Sequence, residues 1–275
     1  MFKVALELIA ALVMLTVAVR LLEPRLAFLP ASGENVTPRD LGIEYQSLTV
    51  VTGDGERLRG WSLAPATARA RVLYFHGNGG NLSLWAPILA GIARRGYAVV
   101  AFDYRGYGLS SGRPTERGLY RDVDAMVERF SNDSSRQTPI VYWGRSLGVA
   151  MAAHAATVRA PDGLILESGF PDARALVRTS PLLAFLALFS SYRFPCADFL
   201  HRLGKPVPVL VMHGDDDRVV SIAQGQALFD RIAEPKQFVT IRGGDHNDLT
   251  PSEPDAYWQA VDRFVATLPV TVNTE

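Results

Sequence analysis

The chain predicts an α/β fold, a mostly parallel twisted sheet with helices on both faces, and three observations carry that prediction. Short apolar runs without alternation, such as Val72–Phe75, Ala98–Phe102 and Ile140–Trp143, take turns with amphipathic stretches of helical length, the pattern of strands buried on both faces by crossover helices. Five of these strands are each followed by a polar, mostly glycine-bearing motif, at 76–81, 103–108, 144–148, 213–217 and 243–248, and open parallel sheets gather their sites at the carboxyl ends of strands. The third observation is Ile140 to Gly148, an apolar run that ends in Gly-x-Ser-x-Gly and passes at once into Val149–Ala153. That order reads as strand, sharp turn and helix, with Ser146 held out at the strand's end.

At 275 residues, 48% hydrophobic and 20% charged, the chain suits one domain with a large core and has no room for two large ones. Its 28 basic and 28 acidic residues cancel, so the charge balance offers nothing to nucleic acid or another highly charged partner. A single cysteine, Cys196, excludes an intrachain disulfide and is expected to serve packing. No obligate protein partner, internal repeat or low-complexity segment is evident.

Taken in order, Val4 to Leu22 is apolar except for Glu7, Thr16 and Arg20, and as a helix it would measure roughly 28 Å, about one hydrocarbon thickness. Residues 1–24 are therefore read as an uncleaved single-pass membrane anchor. A cleaved signal peptide with its apolar core at Leu8–Val19 is the alternative, disfavoured because Val17-Ala18-Val19-Arg20 is a poor small-x-small cleavage site; a buried amphipathic helix comes third. Lys3 on one side and Arg20 and Arg25 on the other give no orientation, so the side on which the following domain lies is not set by charge. Residues 25–46, with Pro30, Gly33 and Pro38, read as a tether, and 47–270 as the domain. Ser47–Thr52 and Leu58–Leu63 flank Gly53-Asp54-Gly55 and predict a hairpin at the sheet edge. Helices follow near Leu82–Arg95, near Glu116–Phe130 and from Ser146, between strands at 72–75, 98–102, 140–143 and 164–166. After an interruption at 171–205, a strand at Val207–Met212, a helix near Ile222–Ile232, a strand at Gln237–Ile241 and a helix near Ala256–Thr267 complete the chain.

A serine hydroxyl is a weak nucleophile at neutral pH and needs an imidazole base within hydrogen-bond reach, itself oriented by a carboxylate. Beyond Ser146 the histidines are His154, His201, His213 and His246. His154 lies two helical turns along and faces away, His201 falls in the interruption and His213 precedes the acidic cluster, which leaves His246. The acid is one of Asp215, Asp216 and Asp217; the third is favoured because it lies furthest out toward the His246 loop. Amide donors for an oxyanion are expected from Leu147, at the helix start, and from Asn78, in the glycine-rich loop after Val72–Phe75. His76 reads as a structural loop histidine, and Asp103 and Arg105 as loop braces. A metallohydrolase built on His76, His213, His246 and the 215–217 aspartates would use suitable ligand types, but without short His-His spacing and without a use for the Gly-x-Ser-x-Gly turn.

With these residues assembled, the chain resembles the α/β-hydrolase superfamily, and more narrowly the membrane-anchored bud-emergence-suppressor-like α/β-hydrolase-domain proteins. The resemblance rests on Thr52-Gly53-Asp54-Gly55, Gly60-Trp61, His76-Gly77-Asn78-Gly79-Gly80-Asn81, Asp103-Tyr104-Arg105-Gly106-Tyr107-Gly108, Gly144-Arg145-Ser146-Leu147-Gly148 and His246-Asn247-Asp248. It implies a Ser146, Asp217, His246 triad, no cofactor, and serine-hydrolase activity on esters, thioesters or amides, with a small-molecule or acyl-lipid substrate. The chain departs from such relatives at Val149, where they often carry a second glycine, and in the strongly apolar character of the interruption. In that interruption, where such folds carry a cap, Pro181–Phe189 is uncharged and is expected to be a buried cap helix whose inner face lines an acyl pocket. A peptidase or amidase of the same fold, and a catalytically silent membrane-binding relative, are the alternatives.

Overall fold

The computed structural model describes residues 2–132, 138–177, 181–248 and 254–269; Met1, residues 178–180 of the expected cap segment and the expected domain end at 270 lie outside them. Strands β1 (Leu29–Pro30), β2 (Gln46–Val51), β3 (Arg57–Leu63), β4 (Arg71–Phe75), β5 (Gly79–Gly80), β6 (Ala98–Phe102), β7 (Ile140–Arg145), β8 (Gly163–Glu167), β9 (Val209–Gly214) and β10 (Lys236–Ile241) alternate with helices. Eight of them form one sheet in the order β10-β9-β8-β7-β4-β6-β3-β2. All neighbours are parallel except the two pairs that β3 makes with β2 and β6.

The antiparallel pair is set by the Gly53-Asp54-Gly55 turn. Thr52 Oγ1 donates to Asp54 at 2.7 Å and accepts from the Glu56 N–H at 3.0 Å, while Gly55 turns the chain back at φ +91°, a conformation costly for any side chain. The central parallel strands β4, β7, β8 and β9 are buried along their whole length and mostly apolar because both faces are covered. Successive residues of β4 point to opposite cores: Leu73 and Phe75 pack with helices α3 (Glu116–Ser131) and α4 (Leu147–Val158), and Val72 and Tyr74 with α2 (Leu82–Arg94) and α9 (Pro254–Ala266). Helix starts are capped locally, α2 by the Asn81 side chain on the Ser83 N–H and α3 by Thr115 on the Gly118 N–H.

Three segments depart from the sequence expectation. The N-terminal helix α1 runs from Phe2 to Ala27, through Pro24, about 39 Å in length. Proline costs it a single backbone bond one turn from its end, too little to stop it. The stretch expected as a tether is docked: β1 pairs in parallel with β5, Ser32 bridges to Gly108, and Glu34 takes the side chains of Arg59 and Trp61. The third departure corrects the cap. Between α5 (Ala173–Val177) and α7 (Cys196–His201), helix α6 (Pro181–Leu186) is not buried: Leu182 is 66% exposed, and Leu188 just beyond the helix 67%, because among the described residues no neighbouring element covers that face.

Candidate active site

The Gly-x-Ser-x-Gly turn is as tight as its glycines demand. A Cβ on Gly148 would sit 1.9 Å from the Phe75 carbonyl oxygen, and one on Gly144 2.2 Å from that of Gly148. Ser146 itself takes φ +54°, a left-handed conformation costing a non-glycine residue about 1–3 kcal/mol. Its N–H donates to the Glu167 carbonyl at the end of the neighbouring strand β8, at 2.8 Å, which helps to hold that strained residue in place.

His246 comes from the loop after β10. Gly243, at φ +66°, donates to Asp215 at 2.7 Å and the Gly244 carbonyl accepts from the Asp216 N–H at 3.1 Å, tying this loop to the one after β9. Arg145, buried beside the elbow, donates through Nη2 to the His246 carbonyl at 2.7 Å. The imidazole then spans the two remaining groups, with Nε2 3.0 Å from Ser146 Oγ and Nδ1 2.8 Å from Asp217 Oδ2. Of the three clustered aspartates, Asp217 is the one at the ring; Asp215 serves the Gly243 turn.

Burial works to raise the Asp217 carboxyl, but hydrogen bonds from the His213 and His246 rings and from the Val220 N–H outweigh it and hold the group well below the usual carboxylate range. An ionised carboxylate only accepts, so Nδ1 carries the proton and the Nε2 lone pair faces the serine hydroxyl. That is the tautomer a general base requires.

Two residues were expected to supply amides. Leu147 opens α4, where an N–H has no partner within the helix. Asn78 is fixed by its side chain: Nδ2 donates to the Ala27 carbonyl at 2.8 Å, and Tyr107 donates to its carbonyl and side-chain oxygens at 3.0 and 2.9 Å. The Asn78 main-chain N–H makes no bond to another protein group among the described residues, which leaves it available to a ligand.

The remaining polar residues hold loops. His76 is fully buried, and burial lowers it to about 4 against its bond to the Gly77 carbonyl, so it is neutral at pH 7. Asp103 is pushed up to about 7 by burial, opposed by the Leu82 N–H and reinforced by Glu34. Arg105 bridges Asp54 and Asp122, and His154 lies against Asp124, away from the serine. Sequence reasoning missed Arg145, Glu167 and Tyr257, a buried cluster beneath the elbow in which Tyr257 donates to Glu167, and it weighed His213 only as a base or metal ligand, whereas its Nε2 lies 2.8 Å from the Val220 carbonyl and 3.4 Å from Asp217. The one signal for His213 was its place after an apolar strand.

A cavity of about 440 Å³ runs beside α6, lined by Ala184, Ala187 and Leu188 but also by Asp172, Arg174, Arg193, Asp198 and Arg231. It contains none of the three central residues, so it is not the apolar acyl pocket expected under the cap. Among the described residues no group of three or more His, Cys, Asp or Glu is placed to hold a metal ion.

The chain is similar to several known proteins. The family profile described as serine aminopeptidase, S33, matches residues 66–205. An uncharacterised protein of Mycobacterium tuberculosis is 32% identical over 88% of this chain and 86% of its own length. The membrane protein YNL320W of Saccharomyces cerevisiae is 30% identical over 83% of this chain and 82% of its own. α/β-Hydrolase domain-containing protein 17B of Xenopus laevis is 28% identical over 72% and 66%. Among solved structures, the Pyrococcus furiosus esterase Pf2001 superposes with a TM-score of 0.70 at 20% identity, over 88% of this chain and 97% of that one. A Xanthomonas campestris protein described as an α/β serine hydrolase without lid gives 0.60 at 20% identity, over 82% and 97%.

Proposed function

The chain belongs to the α/β-hydrolases of the serine aminopeptidase S33 family, and from that premise we propose that it hydrolyses a carboxylic ester or thioester through an acyl-serine intermediate, on an N-terminal membrane anchor. The observation that carries the reading is the single imidazole bridging Ser146 and Asp217 at hydrogen-bond distance on both sides.

In the proposed reaction, Ser146 Oγ attacks the carbonyl carbon as its proton passes to His246 Nε2. Asp217 stabilises the imidazolium through Nδ1, and the carbonyl oxygen, now negative, receives the N–H groups of Asn78 and Leu147. Collapse breaks the carbon–oxygen or carbon–sulfur bond, and the alcohol or thiol leaves with the proton from Nε2. Water then attacks the acyl-enzyme by the same route, giving the carboxylic acid and free serine. No step calls for a cofactor. An amide substrate is the second reading, favoured by the printed description of the matching family; the steps are the same with an amine leaving.

Helix α1 supports the anchor: it is long and apolar enough to cross a membrane, and the similar yeast protein is described as a membrane protein. The test of the activity is turnover of ester and thioester series from acetyl to palmitoyl, beside aminoacyl anilides, by the full chain and by Ser146→Ala. Hydrolysis of oxygen or sulfur esters that vanishes in Ser146→Ala supports the first reading. Turnover confined to anilides would move the assignment to a peptidase.

A further inference from the structure

Four large apolar side chains of the cap, Leu182, Leu183, Phe185 and Leu188, are 49–67% exposed within seven residues of chain. A patch of this kind on a protein surface marks a place where something binds. We propose that it is a membrane-docking surface, resting in the interfacial layer of the same bilayer that α1 crosses. The inference rests on the anchor reading above and deepens it by fixing how the hydrolase domain sits on lipid.

The occupant is argued from the way the cap meets α1. Along α1, residues before Glu23 are exposed or half-exposed; Glu23, 8% exposed, is where the helix enters the body. With Val4–Leu22 filling about one hydrocarbon thickness, Glu23 stands at the membrane surface. There its carboxylate accepts hydrogen bonds from Ser190 Oγ at 2.7 Å, from the Ser191 N–H at 2.9 Å and from Ser191 Oγ. The chain after α6 is thus pinned at the level where α1 leaves the bilayer. Leu186, the last residue of α6, is four residues from Ser190, which is at most about 14 Å of extended chain. The end of α6 that carries the apolar patch therefore lies within that distance of the emerging helix. Arg20, Arg25 and Arg193 are exposed around this junction, where cations meet lipid phosphates.

The experiment places one fluorophore on the full chain in lipid nanodiscs. Cys196 is fully buried, with burial pushing its thiol well above the ordinary range, so a cysteine-reactive dye labels Leu188→Cys alone. Val158→Cys, exposed at the far end of α4 from the elbow, is the control. The expected result is that dye at 188 loses the larger part of its emission to doxyl-labelled phospholipid and little to aqueous iodide, while dye at 158 does the reverse. Dye at 188 that responds to iodide and not to doxyl lipid, in chains seated in the disc, overturns the docking and leaves the anchor standing. Shielding from both quenchers also overturns it, since a protein surface such as a second copy then covers the patch. A chain that fails to enter the disc overturns the anchor and the docking together. None of these outcomes bears on the hydrolase reading, which is measured by turnover.

Discussion

Asp217 receives four protein donors or near-donors, the N–H groups of Val219 and Val220 at 3.0 and 2.7 Å, His246 Nδ1 at 2.8 Å and His213 Nε2 at 3.4 Å, so its charge and position are fixed before any substrate arrives. Asp217→Asn keeps the shape and loses the charge that selects the His246 tautomer; kcat should fall by about 10⁴-fold with the fold retained, read from steady-state turnover beside a circular-dichroism melt. Asp103 makes a pH prediction of the opposite electrostatic kind. Its carboxyl is raised to about 7 by burial, so between about pH 4 and 7 the unfolded chain releases a proton that the folded protein keeps. Stability from this group is therefore greatest at the acid end and declines as pH rises through that window. Asp103→Asn should lack that decline, so that chemical denaturation shows the variant gaining on the wild type from pH 5 to pH 8. That Ser146, Asp217 and His246 come together was legible because a serine proposed as nucleophile calls for a base and an orienting acid, and few residues stood in the right order. Arg145 was not, since its partner is a carbonyl 101 residues away, a pairing no local pattern reveals.

At the scale of elements, the strand–turn–helix junction carries the most exacting geometry. Gly148→Ala would drive a methyl group into the Phe75 carbonyl and should cost about 3 kcal/mol or more, seen as a large loss of thermal stability; an unchanged melting temperature would contradict the elbow as described. Glu23 is the corresponding pin between α1 and the cap. Removing a charged acceptor of three hydrogen bonds exposes the backbone it held, so Glu23→Ala should speed hydrogen exchange at the Ser191 amide by roughly tenfold or more, with little change in the strand amides. The central parallel strands could be read from sequence because both faces are buried and their polar residues stand at the strand ends. Helix α6 was misread for the same reason: an uncharged run resembles core whether or not another element covers it. The β1–β5 ladder, two residues a side, is too short to show any periodicity.

Over the whole molecule, the sheet order brings loops far apart in sequence to one edge, so that a serine after β7, an aspartate after β9 and a histidine after β10 meet around a single ring. The two cores on either side of the sheet keep those strand ends in register, while α1 and the exposed cap patch lie at the junction where the domain would meet lipid. The sheet buried on both faces and the apolar N-terminal helix were visible in outline from composition and alternation; the exposure of the cap was not, and neither was the docking of residues 27–34 onto the Asn78 loop, since it depends on main-chain pairing rather than residue type. The measurement that bears most directly on the central claim is labelling of the purified full chain by a fluorophosphonate probe, wild type beside Ser146→Ala. A covalent adduct on the wild type that is absent from a folded Ser146→Ala is the predicted result. A folded wild-type protein that takes no label, or an equally labelled Ser146→Ala, would contradict the assignment of Ser146 as the nucleophile.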